Sequence, residues 1–156
     1  MARVRLATAA ASLTLATGSL VLAPAAATAA EQAPTGGCWN WGCEGKNPAA
    51  YCGGDARTVD SARLGGSNGA LLELRYSPSC EAIWARLSDA PFDENNAKAG
   101  DAQIQRNGSS KDYWCQVPVN GSSCYTEMLA DHNMTAYAWA DYDTSVYYYK
   151  GRTGSY

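Results

Sequence analysis

Six cysteines constrain what this chain can fold into more than any other feature of its sequence. All six lie between Cys38 and Cys124, in a chain of 156 residues. An even number in a small exported domain is typical of a disulfide framework, which stabilises a fold with a small apolar core. The pairs that we predict are Cys38–Cys43, Cys52–Cys80 and Cys115–Cys124. Other connectivities are open, and only the last pair is supported by the local pattern of strands.

The same cysteines do not predict a zinc site. No two of them have the C-x-x-C spacing of a zinc ligand pair, and His132 is the only histidine. We therefore expect neither a bound metal nor a cofactor.

The first 30 residues have the pattern of a removable export signal. Arg3 and Arg5 precede an apolar stretch that is rich in alanine, and small residues follow it up to Ala30. We expect cleavage after Ala29 or Ala30 and a secreted product. Residues 31–37, rich in glycine and proline, are then a flexible N-terminal arm, and residues 38–156 are a single β domain.

Charge and the distribution of apolar residues argue against two classes of partner. Removal of the predicted signal leaves 10 basic and 15 acidic residues, a net charge of −5, and the basic residues are scattered. Because a protein that binds nucleic acid needs clustered positive charge, we expect no nucleic-acid partner. No second apolar stretch of membrane-spanning length follows the signal, so we expect no membrane partner either.

Hydrophobic alternation with a period of two predicts short strands. In residues 71–76, Leu72, Leu74 and Tyr76 share one face while Glu73 and Arg75 share the other. Residues 83–87 and 135–142 alternate in the same way, 102–106 predict a weak strand, and 146–149 are a further run of residues that favour strands. Residues 57–64 suit a helix or a strand. About seven strands with frequent turns predict an all-β fold, a small antiparallel β-sandwich or barrel braced by disulfides.

One predicted hairpin explains the third disulfide. Residues 113–117 and 124–129 flank the turn Pro118-Val119-Asn120-Gly121. A four-residue loop places Cys115 directly opposite Cys124, at a separation that suits a cross-strand disulfide.

No catalytic motif accompanies these strands. A histidine-dependent hydrolase would have to use His132, and no nucleophile motif is present. The acidic residues Asp89, Asp93, Glu94 and Asp101 lack the spacing of a calcium loop and are expected to be solvated. We therefore predict that the protein is not an enzyme.

The aromatic residues are divided between core and surface. Trp84 and Trp139 alternate within strands, and we expect them to pack in the core or cover a sheet face. Trp39 and Trp41 adjoin the predicted arm and are candidates for contact with a partner. A strand over residues 147–149 must expose at least one ring, so Tyr147 and Tyr149 are further candidates.

Three segments of the chain resemble the YjfA-like family of small secreted actinobacterial proteins, a domain of unknown function. They are C-E-G-K-N-P at residues 43–48, C-G-G-D-A-R-T-V at residues 52–59 and E-L-R-Y-S-P-S-C-E-A-I-W-A-R at residues 73–86, within a similarity that extends from Cys43 to Ala140. The resemblance implies a compact exported β domain. It also implies a role like that of similar proteins, which are small adaptor subunits in the umbrella-shaped toxin particles of streptomycetes.

These observations favour a secreted, non-catalytic module that binds another secreted protein, with Trp39 and Trp41, beside the flexible arm, as candidate anchors. One alternative is a carbohydrate- or cell-wall-binding module, in which exposed rings stack on sugars. A second is a secreted protease inhibitor, with residues 38–43 as its reactive loop, or a small hydrolase.

Overall fold

The computed structural model describes residues 37–91 and 100–156. The predicted signal peptide and all of the predicted arm except Gly37 lie outside these residues, as do Asp93 and Glu94. No helix in the described part of the chain is long and apolar enough to cross a membrane.

Short helices come first and nine strands follow within the described ranges. The helical turns are Asn40–Cys43 and Gly53–Asp55, both 3-10, and the α-helix Pro48–Tyr51. The strands are β1 (Arg57–Leu64), β2 (Ala70–Ser77), β3 (Ala82–Ser88), β4 (Gly100–Arg106), β5 (Asp112–Gln116), β6 (Cys124–Tyr125), β7 (Leu129–Ala130), β8 (Ala136–Asp143) and β9 (Tyr148–Arg152).

The strands form two antiparallel sheets, as the sequence predicts. The first sheet has the order β1-β2-β3, with β6 and β7 both paired to β3, and the second has the order β5-β4-β8-β9. Residues 57–64, which the sequence leaves between helix and strand, form β1. The sandwich prediction is confirmed, whereas the described strands do not close into a barrel.

The main core lies between the two sheets and combines large with small side chains. The first sheet contributes leucines, among them Leu72, Leu74 and Leu87, and β8 contributes Ala136, Ala138 and Ala140. Because large residues on one sheet face small residues on the other, the layers approach closely and fill the space between them.

The two strand tryptophans have different environments. Trp84 is buried and lies with four cysteines in a second apolar cluster. Trp139 is half-buried on the opposite side of its strand from the core alanines. Trp139 therefore covers the outer face of the second sheet.

The predicted hairpin around Pro118 is wrong. Over the described residues β5 pairs with β4 along five residues, and the two-residue strand β6 pairs with β3 in the other sheet. The turn Asn107–Ser110 joins β4 directly to β5. The five-residue ladder between β4 and β5 provides more hydrogen bonds than pairing of β5 with the two-residue strand β6 would. The disulfide Cys115–Cys124 therefore links the two sheets, with its Cα atoms 6.0 Å apart.

Candidate functional site

The segment before β1 is fastened to the first sheet by disulfides. Cys38 pairs with Cys43, and Cys52 pairs with Cys80 in the turn between β2 and β3. These are the pairings favoured in the sequence analysis. The four sulfurs lie within 4.8 Å of one another and are buried. As disulfides they have no thiolate with which to bind a metal.

This fastening presents two indoles to solvent. Trp39 is 44% exposed and Trp41 is 59% exposed, whereas Asn40 between them is buried. Asn40 has a φ of 45°, a conformation that asparagine tolerates better than most residues, and its N–H donates to the Cys80 carbonyl at 2.7 Å. The backbone of the loop closed by the Cys38–Cys43 disulfide therefore turns both indoles outward.

The Trp41 ring packs on one member of a buried ion pair, Arg106–Glu44. Arg106 continues the inward-facing series of β4, so its guanidinium lies at the end of the core. It pairs with Glu44, donates to the Ala130 carbonyl at 3.3 Å and lies 4.8 Å from the centre of the Trp41 ring. Trp41 therefore rests on a guanidinium whose own position is fixed.

Trp39 lies against a histidine that contacts a carboxylate. Its ring centre is 5.7 Å from that of His132, and His132 Nδ1 lies 2.5 Å from Glu81 Oε2. His132 thus contacts both an indole and a carboxylate. We call Trp39, Trp41, Arg106 and His132 together the N-terminal aromatic surface.

Asp131 is an acidic residue beside this surface with an unusual protonation equilibrium. Burial raises the pKa of its carboxyl to about 7; the nearby Arg106 opposes the shift, and Glu81 adds to it. Its backbone N–H donates to the Glu81 carbonyl at 3.0 Å. The charge of this surface therefore changes near neutral pH.

We expect the stability of the protein to fall as pH rises from about 4 to about 7. In that interval folded Asp131, with its pKa of about 7, retains a proton that the unfolded chain has released. Asp131→Asn should flatten this slope and stabilise the protein at about pH 8. Because solvent still screens part of the charge, the expected gain is about 1 kcal/mol.

Urea unfolding at several pH values measures this effect. Glu127→Gln, at an exposed carboxylate, is the matched control and should keep the slope of the unaltered protein. If Asp131→Asn also keeps that slope, another group is responsible for the pH dependence.

The structure places the two candidate tyrosines away from the tryptophans. Tyr147 is exposed, and its ring centre lies 5.9 Å from that of Tyr149. Tyr149 is half-buried against Gly65, where an added Cβ would lie 3.0 Å from the Tyr149 ring. Arg106 is opposite Ala136 at one end of β8, and these tyrosines follow the other end, about 20 Å away. The four predicted partner-binding residues thus form two groups.

A second aromatic surface includes a residue that the sequence analysis did not select. Trp114 in β5 is 68% exposed and is opposite Gln103 in β4, which is in turn opposite Trp139 in β8. We call Trp114, Gln103 and Trp139 the indole cleft. Trp114 reaches this place because β5 pairs with β4. The sequence analysis paired β5 with a different segment and therefore did not predict that Trp114 lies near Trp139.

Of the four acidic residues named above between positions 89 and 101, the structure describes Asp89 and Asp101, and these two have different neighbours. Asp89 pairs with the exposed Arg63 at 2.8 Å, while Asp101 lies beside the indole cleft.

The chain matches a known protein family. The model of a protein family of unknown function, DUF2690, matches residues 41–139, the greater part of the chain. The chain belongs to the DUF2690 family. No curated protein and no solved structure matches it.

The DUF2690 match includes most of both aromatic surfaces. Trp41, Arg106, Trp114 and Trp139 lie within the matched residues, whereas Trp39 precedes them and Tyr147 and Tyr149 follow them. The three disulfides of this DUF2690 domain indicate an extracellular or otherwise oxidising environment.

Proposed function

We propose that the protein is a secreted, non-catalytic module that binds another secreted protein as an adaptor subunit of an extracellular, toxin-type complex. The observation that carries this proposal is the display of Trp39 and Trp41, two exposed indoles on a loop closed by a disulfide. A contiguous exposed apolar patch often marks an interaction site, and tryptophan is enriched at binding hot spots.

Rigidity favours binding at this position. The disulfide Cys38–Cys43 and the hydrogen bond from Asn40 restrain the backbone of the loop, and Trp41 stacks on Arg106 before a partner arrives. The Trp39 ring lies against His132. Less conformational entropy is then lost on association. The resemblance to YjfA-like proteins, among them adaptor subunits of streptomycete umbrella toxin particles, supports the same role.

The surroundings of the two indoles suggest the chemistry of the partner. Glu81 adjoins the N-terminal aromatic surface, and the chain without its predicted signal has a net charge of −5. The partner should therefore offer an apolar groove with positive charge at its rim. Residues 31–37 are close enough in sequence to Trp39 to extend along that groove.

The test is co-purification of the tagged chain from the culture supernatant of the producing organism. We expect a secreted protein at stoichiometric yield, lost when Trp39→Ala and Trp41→Ala are combined. Each tryptophan anchor typically contributes about 2 kcal/mol or more, so affinity should fall at least about 100-fold.

Trp114→Ala is the matched control, since it removes an indole that is at least as exposed as Trp39 and Trp41 from the other surface. It should retain the partner. Recovery of the unaltered chain as a lone monomer, or a partner retained by the double variant, would overturn the proposal. Thermal unfolding of each variant checks that the fold persists.

A further inference from the structure

The outer face of the second sheet contains a cleft between two indoles. Its volume is about 230 Å³, and it is lined by Asp101, Ala102, Gln103, Trp114 and Trp139. None of these residues belongs to the N-terminal aromatic surface. An inference about the cleft therefore does not depend on the proposed adaptor function.

The register of the strands determines the spacing of the two indoles. Trp114 and Trp139 are both directly opposite Gln103, one on each side. Two strand spacings separate them, which places their Cα atoms about 10 Å apart. The indoles thus lie on either side of a polar floor, at a distance that suits one six-membered ring.

Hydrogen bonds hold this floor in place. The indole N–H of Trp139 donates to Gln103 Oε1, and Gln103 Nε2 donates to Asp112 Oδ2. The amide group is thereby oriented, and Trp139 is prevented from rotating. Such a pre-ordered site loses little entropy when a ligand binds.

We infer that the indole cleft binds a pyranose ring of an uncharged or amino-bearing polysaccharide. The apolar C–H face of a pyranose can stack on an indole, and its hydroxyl or amino groups can donate to the amide and carboxylate oxygens beside it. Asp101 supplies such a carboxylate in the lining of the cleft, and Asp112 is hydrogen-bonded to Gln103. These negative charges favour an amino sugar and disfavour a uronic acid or a nucleic acid.

A single sugar ring suits the size and lining of this cleft. Its volume of about 230 Å³ is below the ~300–1,000 Å³ of sites for drug-sized molecules, as expected of a site for one ring. Two aromatic side chains offer stacking surfaces, and the polar floor between them offers hydrogen-bond partners.

Binding of soluble oligosaccharides to the whole protein, measured by titration calorimetry, tests the inference. We expect glucosamine hexasaccharide to bind more tightly than cellohexaose, and galacturonate hexasaccharide to show no binding. Trp114→Ala should weaken binding about 10- to 100-fold, as loss of a stacking ring does in other sites. Trp114→Phe should recover most of it.

The double variant Trp39→Ala and Trp41→Ala is the control and should bind the sugars normally. Absence of binding to both glucosamine hexasaccharide and cellohexaose would overturn the inference, as would unchanged binding by Trp114→Ala. Loss of a co-purified protein by Trp114→Ala, without sugar binding, would make the cleft a protein contact instead. Loss of sugar binding with the partner retained would support the cleft and leave the adaptor proposal intact.

Discussion

Replacing both Cys52 and Cys80 with serine should lower the free energy of unfolding by about 4 kcal/mol. The disulfide joins residues separated by 28 positions, and it links the segment before β1 to the turn after β2. Because the loop that it closes is long, its loss gives the unfolded chain much more freedom. Both sulfurs are buried, so the folded state loses packing as well.

Cys38→Ser with Cys43→Ser is the matched control, because that pair closes a separation of only 5. Its expected cost is about 2 kcal/mol, measured by urea unfolding under oxidising conditions. Both cysteines of a pair must be replaced, since Cys38 Sγ lies 3.6 Å from Cys52 Sγ and a lone thiol would exchange with the neighbouring disulfide. Equal losses from the two double variants would contradict an explanation based on loop length.

Local alternation was sufficient to predict much of the sandwich. Leu72 and Leu74 face the core from β2, as their period of two indicates, and Ala136, Ala138 and Ala140 do so from β8. The pairing of β5 could not be predicted in the same way. Turns stand on both sides of β5, at residues 107–110 and 118–121, and local alternation does not show which of them closes a hairpin; the choice depends on the five-residue ladder that β4 offers.

The candidate sites show the same limit. Trp39 and Trp41 could be predicted as exposed because they adjoin an arm without apolar periodicity, and both are exposed. The support beneath Trp41 could not be predicted, because Glu44 and Arg106 are 62 positions apart. Trp114 was missed because its exposure depends on which sheet β5 joins.

Replacing Glu44 with alanine should destabilise the protein by about 3 kcal/mol. The side chains of Arg106 and Glu44 are only 10% and 16% exposed, and Glu44 Oε2 also accepts the Ala130 N–H at 3.2 Å. The variant leaves a buried guanidinium without its counter-charge, which costs more than the pair itself contributes. The exposed pair Arg63–Asp89 is the control, and Asp89→Ala should cost about 0.5 kcal/mol or less.

Combining Glu44→Ala with Arg106→Met tests whether the cost comes from the unpaired charge. The double variant should lose less stability than the sum of the two single variants, because it leaves no buried charge. Arg106→Met alone should also raise the pKa of Asp131 above about 7, since the guanidinium opposes that shift. NMR titration of the Asp131 carboxyl measures this. Additive losses of stability would contradict the explanation by an unpaired buried charge. An unchanged pKa would mean that the Arg106 guanidinium does not act on the Asp131 carboxyl.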